Sequence, residues 1–253
     1  MKPSQSVAHK SSGRTPRLFV DREIAAGRAV ELGADAARYL ISVLRLSQGD
    51  DVLIFDDCTG EWKATIAEAG KRAVVLVPQE TTRPREVPAD VELAAAPIKR
   101  QRFEWMAEKA CELGAARFTP VVTQRTDVRG VKADRLRMHM IEAAEQCERT
   151  ALPALGEELK LGAFLNEFPA GRALIFCDEE GGAPAAGALP PAPATILIGP
   201  EGGFTPEERE RIAGHAGAVR VSLGPRILRA DTAAVAALSL WQALCGDAQE
   251  KAA

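Results

Sequence analysis

The spacing of apolar residues changes part-way along the chain. From residue 15 to about 80, short apolar runs alternate with turn residues: RLFV (17–20), VLIFD (52–56), WKATIAE (62–68) and AVVLVP (73–78). Runs of that length, bounded by Gly, Asp and Pro, predict strands, and several in quick succession predict a small closed β-barrel. TTRPREVPAD (81–90) has two prolines and little apolar content, which predicts a linker. Residues 1–14 are polar and predict a flexible basic tail.

Beyond residue 90 the period lengthens. VELAAAP (91–97) predicts a strand, and over 100–113 Phe103, Met106, Ala107 and Ala110 fall at i, i+3, i+4 and i+7, one helical stripe. FTPVV (118–122) predicts another strand. Residues 132–149 predict a helix with Leu136, Met140, Ala143 and Cys147 on one face. ALIFC (173–177), ATILIG (194–199) and VRVSLG (219–224) are continuous apolar runs, as in strands covered on both sides of a parallel sheet. Helices at 205–216 and 231–245 complete an alternation that predicts an α/β domain over 91–253, with helices on both faces. The low-complexity stretch 183–194 reads as a surface spacer.

Two of these strands end in glycine turns that lead into helices. ILIG (196–199) runs into PEGGF (200–204), and VSLG (221–224) runs into PRILRADTAA (225–234). Ligands of open α/β sheets bind beyond the carboxyl ends of strands, at such turns. Gly199, Gly202, Gly203 and Gly224 carry no Cβ, so the backbone can take φ > 0 and a flat ring can approach the amides. Neither a G-x-x-x-x-G-K-[ST] loop nor a G-x-G-x-x-G fingerprint occurs at these turns. They therefore suit an uncharged adenine and ribose better than a pyrophosphate. Thr205, Pro206 and Glu208 fit the N-cap, N1 and N3 positions of a capping box, and Asp231 or Thr232 would serve equally as a cap for the last helix.

Composition narrows the class without naming the chemistry. Hydrophobic residues make up 46% and charged residues 26%, as in a globular protein. No apolar run nears the ~20 residues of a membrane span, and the N-terminus lacks the apolar core of a secretory signal. Cys58, Cys111, Cys147, Cys177 and Cys245 form no C-x-x-C pair, which points to core fillers in a reducing cytoplasm rather than a zinc site or disulfide framework. No cluster of metal ligands is evident. The net charge of −3 is unevenly spread: residues 1–30 hold six Lys and Arg against two Asp and Glu, and residues 97–137 hold ten against five. Two basic blocks in an acidic chain are candidates for a surface that meets phosphates, with a merely solvated face as the alternative.

At the glycine turns the sequence resembles a known family. LIGPEGGFTPEE (197–208) followed by LGPRILRADTA (223–233) resembles the paired signature of the SPOUT methyltransferases that form N3-methyluridine in small-subunit (16S) ribosomal RNA. RQRFEWMAEKACELGAARFTPVVTQRT (100–126) and AAEQCERTALP (143–153) are similar to two further blocks, and RLFV (17–20) with YLISVLRLSQGD (39–50) to an N-terminal PUA-like RNA-binding barrel. The resemblance implies a trefoil-knotted SPOUT domain, a homodimer, and bound S-adenosylmethionine. Carried over by position, the cofactor contacts are Leu197, Ile198, Gly199, Glu201, Gly202, Gly203, Leu223, Gly224, Ile227 and Leu228. Asp231 stands where the family usually has Glu.

A sulfonium methyl is already activated and needs no metal; the demanding step is removing the proton from an imide nitrogen. Arg229 is the candidate for stabilising the charge that then spreads to the ring oxygens, with a salt bridge to Asp231 as its alternative role. Asp231 is a candidate proton acceptor only if its pKa is raised. The RNA candidates are Lys99, Arg102, Lys109, Arg125, Arg129, Gln146 and Arg149, with Arg17 and Arg45 of the barrel. Rival readings are a SPOUT enzyme acting on ribose 2′-hydroxyls or transfer RNA, and a non-catalytic ribosome-assembly factor.

Overall fold

The computed structural model describes residues 15–249, so the tail expected at 1–14 lies outside the described residues. The chain divides into two units between Arg85 and Glu86. In the first, β1 (Arg17–Phe19), β2 (Val30–Leu32), β3 (Asp51–Asp56), β4 (Gly60–Ala69) and β5 (Val74–Arg83) form one sheet in the order β1-β3-β4-β5-β2. β3, β4 and β5 are an antiparallel meander and β1 runs parallel to β3. Helix α1 (Ala34–Ala37) continues as a π-helical turn over Arg38–Val43. Ile54, Ile66 and Leu76 from the strands pack with Leu40 from the turn, all fully buried. β1 and β2 stand at the two ends of the hydrogen-bonded order of this sheet.

β5 also runs on to Arg83, into the stretch expected to be linker, for a reason seen on β4. Glu61 of β4 is 3% exposed and accepts from Arg17 Nε at 2.5 Å, Arg83 Nη2 at 2.6 Å and Thr82 Oγ1 at 2.8 Å. Burial alone would raise the Glu61 pKa, but the hydrogen bonds from Arg83, Arg17 and Thr82 overcome it and hold the carboxyl at about 2.

The second unit contains β6 (Val91–Ala95), α2 (Arg100–Glu112), β7 (Arg117–Val122), α3 (Ala133–Cys147), β8 (Ala154–Leu155), β9 (Leu159–Lys160), α4 (Leu161–Asn166), β10 (Ala173–Cys177), β11 (Ala183–Pro184), α5 (Ala185–Ala188), β12 (Ala194–Ile198), α6 (Pro206–Ala213), β13 (Ala218–Ser222) and α7 (Ala230–Cys245). All its strand pairs are parallel, in the order β11-β13-β10-β12-β6-β7-β8 with β9 beside β7. Every residue of β6 and β12 is buried, as a parallel sheet covered on both faces requires. Leu197 and Phe176 pack with α4 and α6 through Phe164 and Ile212, while α7 packs against β6 and β12. The predicted stripe of Phe103, Met106, Ala107 and Ala110 on α2 is buried. Glu92, the second residue of β6, accepts from Thr119 Oγ1 at 2.5 Å and Thr195 Oγ1 at 2.8 Å on the two flanking strands.

Several details depart from the sequence expectation. The stretch 183–194 is not a plain spacer: it forms β11 and α5, and the Pro190 carbonyl accepts from Trp241 Nε1 of α7 at 2.9 Å. Cys58 and Cys147 are exposed, so only some of the cysteines are core fillers. Among the described residues, no helix is long and apolar enough to cross a membrane.

Candidate active site

Because the strands are parallel, β10, β12 and β13, adjacent in the sheet, all end on one edge. The loops beyond them enclose a cavity of about 230 Å³. Ile198 and Gly199 come from the first glycine turn, Leu223–Leu228 from the second, and Ala233 from the first turns of α7. The two turns thus open onto one space. A third wall, from Cys177 at the end of β10 to Gly181, escaped the sequence reading, although it follows the same rule of an apolar strand running into acidic and glycine residues.

The glycines act in different ways. Gly203 (φ +66°) and Gly224 (φ +111°) use the left-handed region as expected; Gly199 and Gly202 do not. Gly199 is required for space, since a Cβ there would lie 2.7 Å from the Phe204 ring. A Cβ on Gly203 would lie 2.3 Å from Glu179 Oε1, so the first glycine turn touches the third wall. That wall is tied down by Asp178, almost fully buried, which is ion-paired to Arg209 of α6 and to Arg220 Nε of β13 at 2.5 Å. Arg209 also pairs with Glu179. The capping box foreseen at Thr205 and Glu208 is present and starts α6 immediately after the turn.

Of the ten residues proposed as cofactor contacts, Ile198, Gly199, Leu223, Gly224, Ile227 and Leu228 line this cavity. Leu197 buries its side chain in the core cluster, and Glu201, Gly202 and Gly203 stand outside the lining. Beside the cavity, Asp231 accepts from Arg102 Nε at 2.6 Å and pairs with Arg102 Nη2, while Arg102 Nη1 lies 3.4 Å from Glu201. One guanidinium therefore joins the start of α2, the first glycine turn and the start of α7. The Arg102 hydrogen bond holds the Asp231 carboxyl below its ordinary pKa, the opposite of what a base needs. Arg229 is the exposed N-cap of α7, and its side chain has no ion-pair partner among the described residues; the salt bridge to Asp231 considered as its alternative role is made by Arg102 instead.

Comparison with known proteins bears on this geometry. A family model described as an RNA methyltransferase domain matches residues 85–242, and one described as an RNA methyltransferase PUA domain matches residues 32–79. A ribosomal RNA small subunit methyltransferase E of Synechocystis is 34% identical over 250 residues, covering 96% of this chain and 82% of the relative. The chain belongs to the ribosomal RNA small subunit methyltransferase E family. Solved structures agree. A putative methyltransferase of Legionella pneumophila in complex with its cofactor SAM superposes with a TM-score of 0.82 at 33% identity, over 93% of this chain and all of that one. The small subunit methyltransferase E of Neisseria gonorrhoeae bound to S-adenosylmethionine gives 0.82 at 28% identity, over 92% of this chain and 99% of that one.

For a family that acts on ribosomal RNA, the fate of the basic candidates matters. Arg17 is buried against Glu61, its guanidinium 3.6 Å from the centre of the Phe55 ring. Arg149 is also buried, bound to Glu86 at 2.6 Å and to the carbonyls of Cys111 at 2.8 Å and Ala115 at 3.1 Å. Burial withdraws both of these guanidinium groups from solvent. Arg102 is committed to Asp231, and Arg125 donates to the Gly202 carbonyl at 2.8 Å, clipping the first glycine turn. Lys109 is paired with Glu108 at 2.7 Å and Glu112 at 2.6 Å. Arg45, Lys99, Arg129 and Gln146 are exposed. Sequence alone could not separate these groups, because a surface cation and a buried one are written with the same letter. Among the described residues, no group of His, Cys, Asp or Glu is arranged to hold a metal ion.

Proposed function

We propose that this chain uses S-adenosylmethionine to methylate N3 of a uridine in 16S ribosomal RNA of the small ribosomal subunit, acting in the cytoplasm as a trefoil-knotted homodimer. The observation that carries the reading is the single cavity onto which both glycine turns open. Its residues fit the cofactor. Ile198, Leu228 and Ala233 offer apolar walls, Gly199 and Gly224 leave the backbone bare, and the carboxylates of Glu179 and Glu180 can accept from hydroxyl or ammonium groups. The lining carries three acidic residues, Asp178, Glu179 and Glu180, against the one cation Arg226, a balance that disfavours a nucleotide phosphate. Bound there, S-adenosylmethionine supplies a methyl group on a sulfonium, ready for attack.

The protein's share of the reaction is to hold the uracil and stabilise it as an imidate. Arg229, exposed at the tip of α7 beside cavity-lining Leu228, carries a guanidinium suited to a uracil oxygen as negative charge gathers there. Asp231 works differently from the base first considered: ionised and paired with Arg102, it fixes the geometry of the two turns. Lys99, Arg129 and Gln146, with Arg45 of the first unit, are the exposed groups suited to the RNA backbone.

The test is transfer of label from methyl-labelled S-adenosylmethionine to undermethylated small ribosomal subunits, followed by primer extension. An N3 methyl blocks Watson–Crick pairing and stops the polymerase at one uridine of 16S RNA. Label without a stop would indicate a ribose methyl and overturn the assignment. No label, with the cofactor bound, would favour an assembly factor.

A further inference from the structure

Among the described residues of the first unit, the large exposed apolar side chains are grouped. Tyr39, Val43 and Leu44 are 40%, 63% and 39% exposed; the first two belong to the π-helical turn that continues α1, and Leu44 is its C-cap. The backbone explains the grouping. Leu44 N–H donates to the Tyr39 carbonyl at 2.9 Å and Leu46 N–H to the Leu40 carbonyl at 2.9 Å, so the turn is wider than an α-helix. Leu44 thus follows Tyr39 by one such widened turn, with Val43 immediately before it. Leu40, fully buried, anchors the opposite side in the core. Arg38 and Arg45 flank the patch; both are exposed, and neither has an ion-pair partner among the described residues. Arg45 stands at φ +58°, a conformation seldom used by a residue with a Cβ.

An aromatic ring and two aliphatic side chains open to water, with an unpaired cation at each end, match an unstacked base and the phosphates on either side of it. A protein partner with an apolar face would gain nothing from the two free guanidinium groups. We propose that this turn is a stacking platform for unpaired nucleotides of the RNA substrate. Tyr39 stacks on a base, Val43 and Leu44 cover its edge, and Arg38 and Arg45 meet flanking phosphates. The inference rests on the RNA-methylating function proposed above and names the part of the substrate that the first unit reads: a single-stranded segment, not a duplex.

The experiment uses the full chain, a labelled oligouridylate and an RNA duplex of equal length. Tyr39→Ala and the double variant Val43→Ser/Leu44→Ser should each weaken oligouridylate binding roughly ten-fold. Duplex binding and S-adenosylmethionine affinity should stay unchanged, and Tyr39→Phe should retain wild-type affinity. With small subunits as substrate, KM should rise by a similar factor at constant kcat. Arg38→Gln/Arg45→Gln should flatten the salt dependence of oligouridylate binding. Wild-type affinity in Tyr39→Ala would overturn the proposal. So would a Val43→Ser/Leu44→Ser variant that changes from dimer to monomer while binding RNA normally, since the patch would then join two copies of the chain. Should the wild-type protein fail to methylate, the functional reading falls, yet the oligouridylate titration still scores the platform.

Discussion

Gly203 shows how much one missing Cβ can decide. Alanine there must hold φ near +66°, which costs roughly 1–2 kcal/mol, and its Cβ would displace Glu179 from its place beside Arg209. Because Glu179 lines the cavity, Gly203→Ala should weaken S-adenosylmethionine binding about ten-fold, roughly 1.4 kcal/mol, in an isothermal titration. Gly224→Ala is strained in the same way but meets open space, so its loss should be smaller. Equal effects would show that the contact with Glu179 is irrelevant. At Arg229 the expectation is a split: Arg229→Ala should abolish methyl transfer while cofactor affinity stays at the wild-type level, because the side chain is outside the cavity lining. Near-normal turnover would remove Arg229 from the reaction. Sequence reading found both glycine turns because bare backbone after an apolar strand is visible in the letters. It could not find the Asp231–Arg102 pair, which joins residues 129 positions apart.

Elements were legible to the extent that their periodicity was long. The stripe on α2 and the covered runs of β10 and β12 could be read directly, whereas β8, β9, β11 and α5, each two to four residues long, carry too few positions to show a period. The end of β5 was hidden for another reason: polar Thr82 and Arg83 continue the strand because Glu61 across the sheet binds them. That buried carboxylate makes a stability prediction. Glu61→Ala removes the buried carboxylate that Arg17, Arg83 and Thr82 share, a loss of about 3 kcal/mol or more in urea unfolding of the first unit. Since the folded pKa of Glu61 lies near 2, below its ordinary 4.5, its contribution is complete above pH 4.5 and disappears as the pH falls toward 2. Wild-type and Glu61→Ala stabilities should therefore converge across that acid range; a constant difference would place the effect in packing rather than charge. At α6, Thr205→Ala removes the capping box and should cost about 1 kcal/mol.

On the scale of the whole molecule, the placement of the site follows from the parallel sheet. Parallel strands send every strand-to-helix loop of one sense to the same edge, so turns separated in sequence share a cavity without any special contact between them. The strand order that brings β10, β12 and β13 together was not legible from local pattern, because periodicity identifies strands but not their neighbours. The central claim is that this shared cavity holds the adenosyl group, and calorimetric titration with S-adenosylmethionine tests it most directly. The wild-type chain should bind one equivalent per chain, and Ala233→Phe, which fills the cavity from the start of α7, should abolish binding while the circular dichroism spectrum is preserved. Undiminished binding in Ala233→Phe, or no binding by the wild-type protein, would contradict the account.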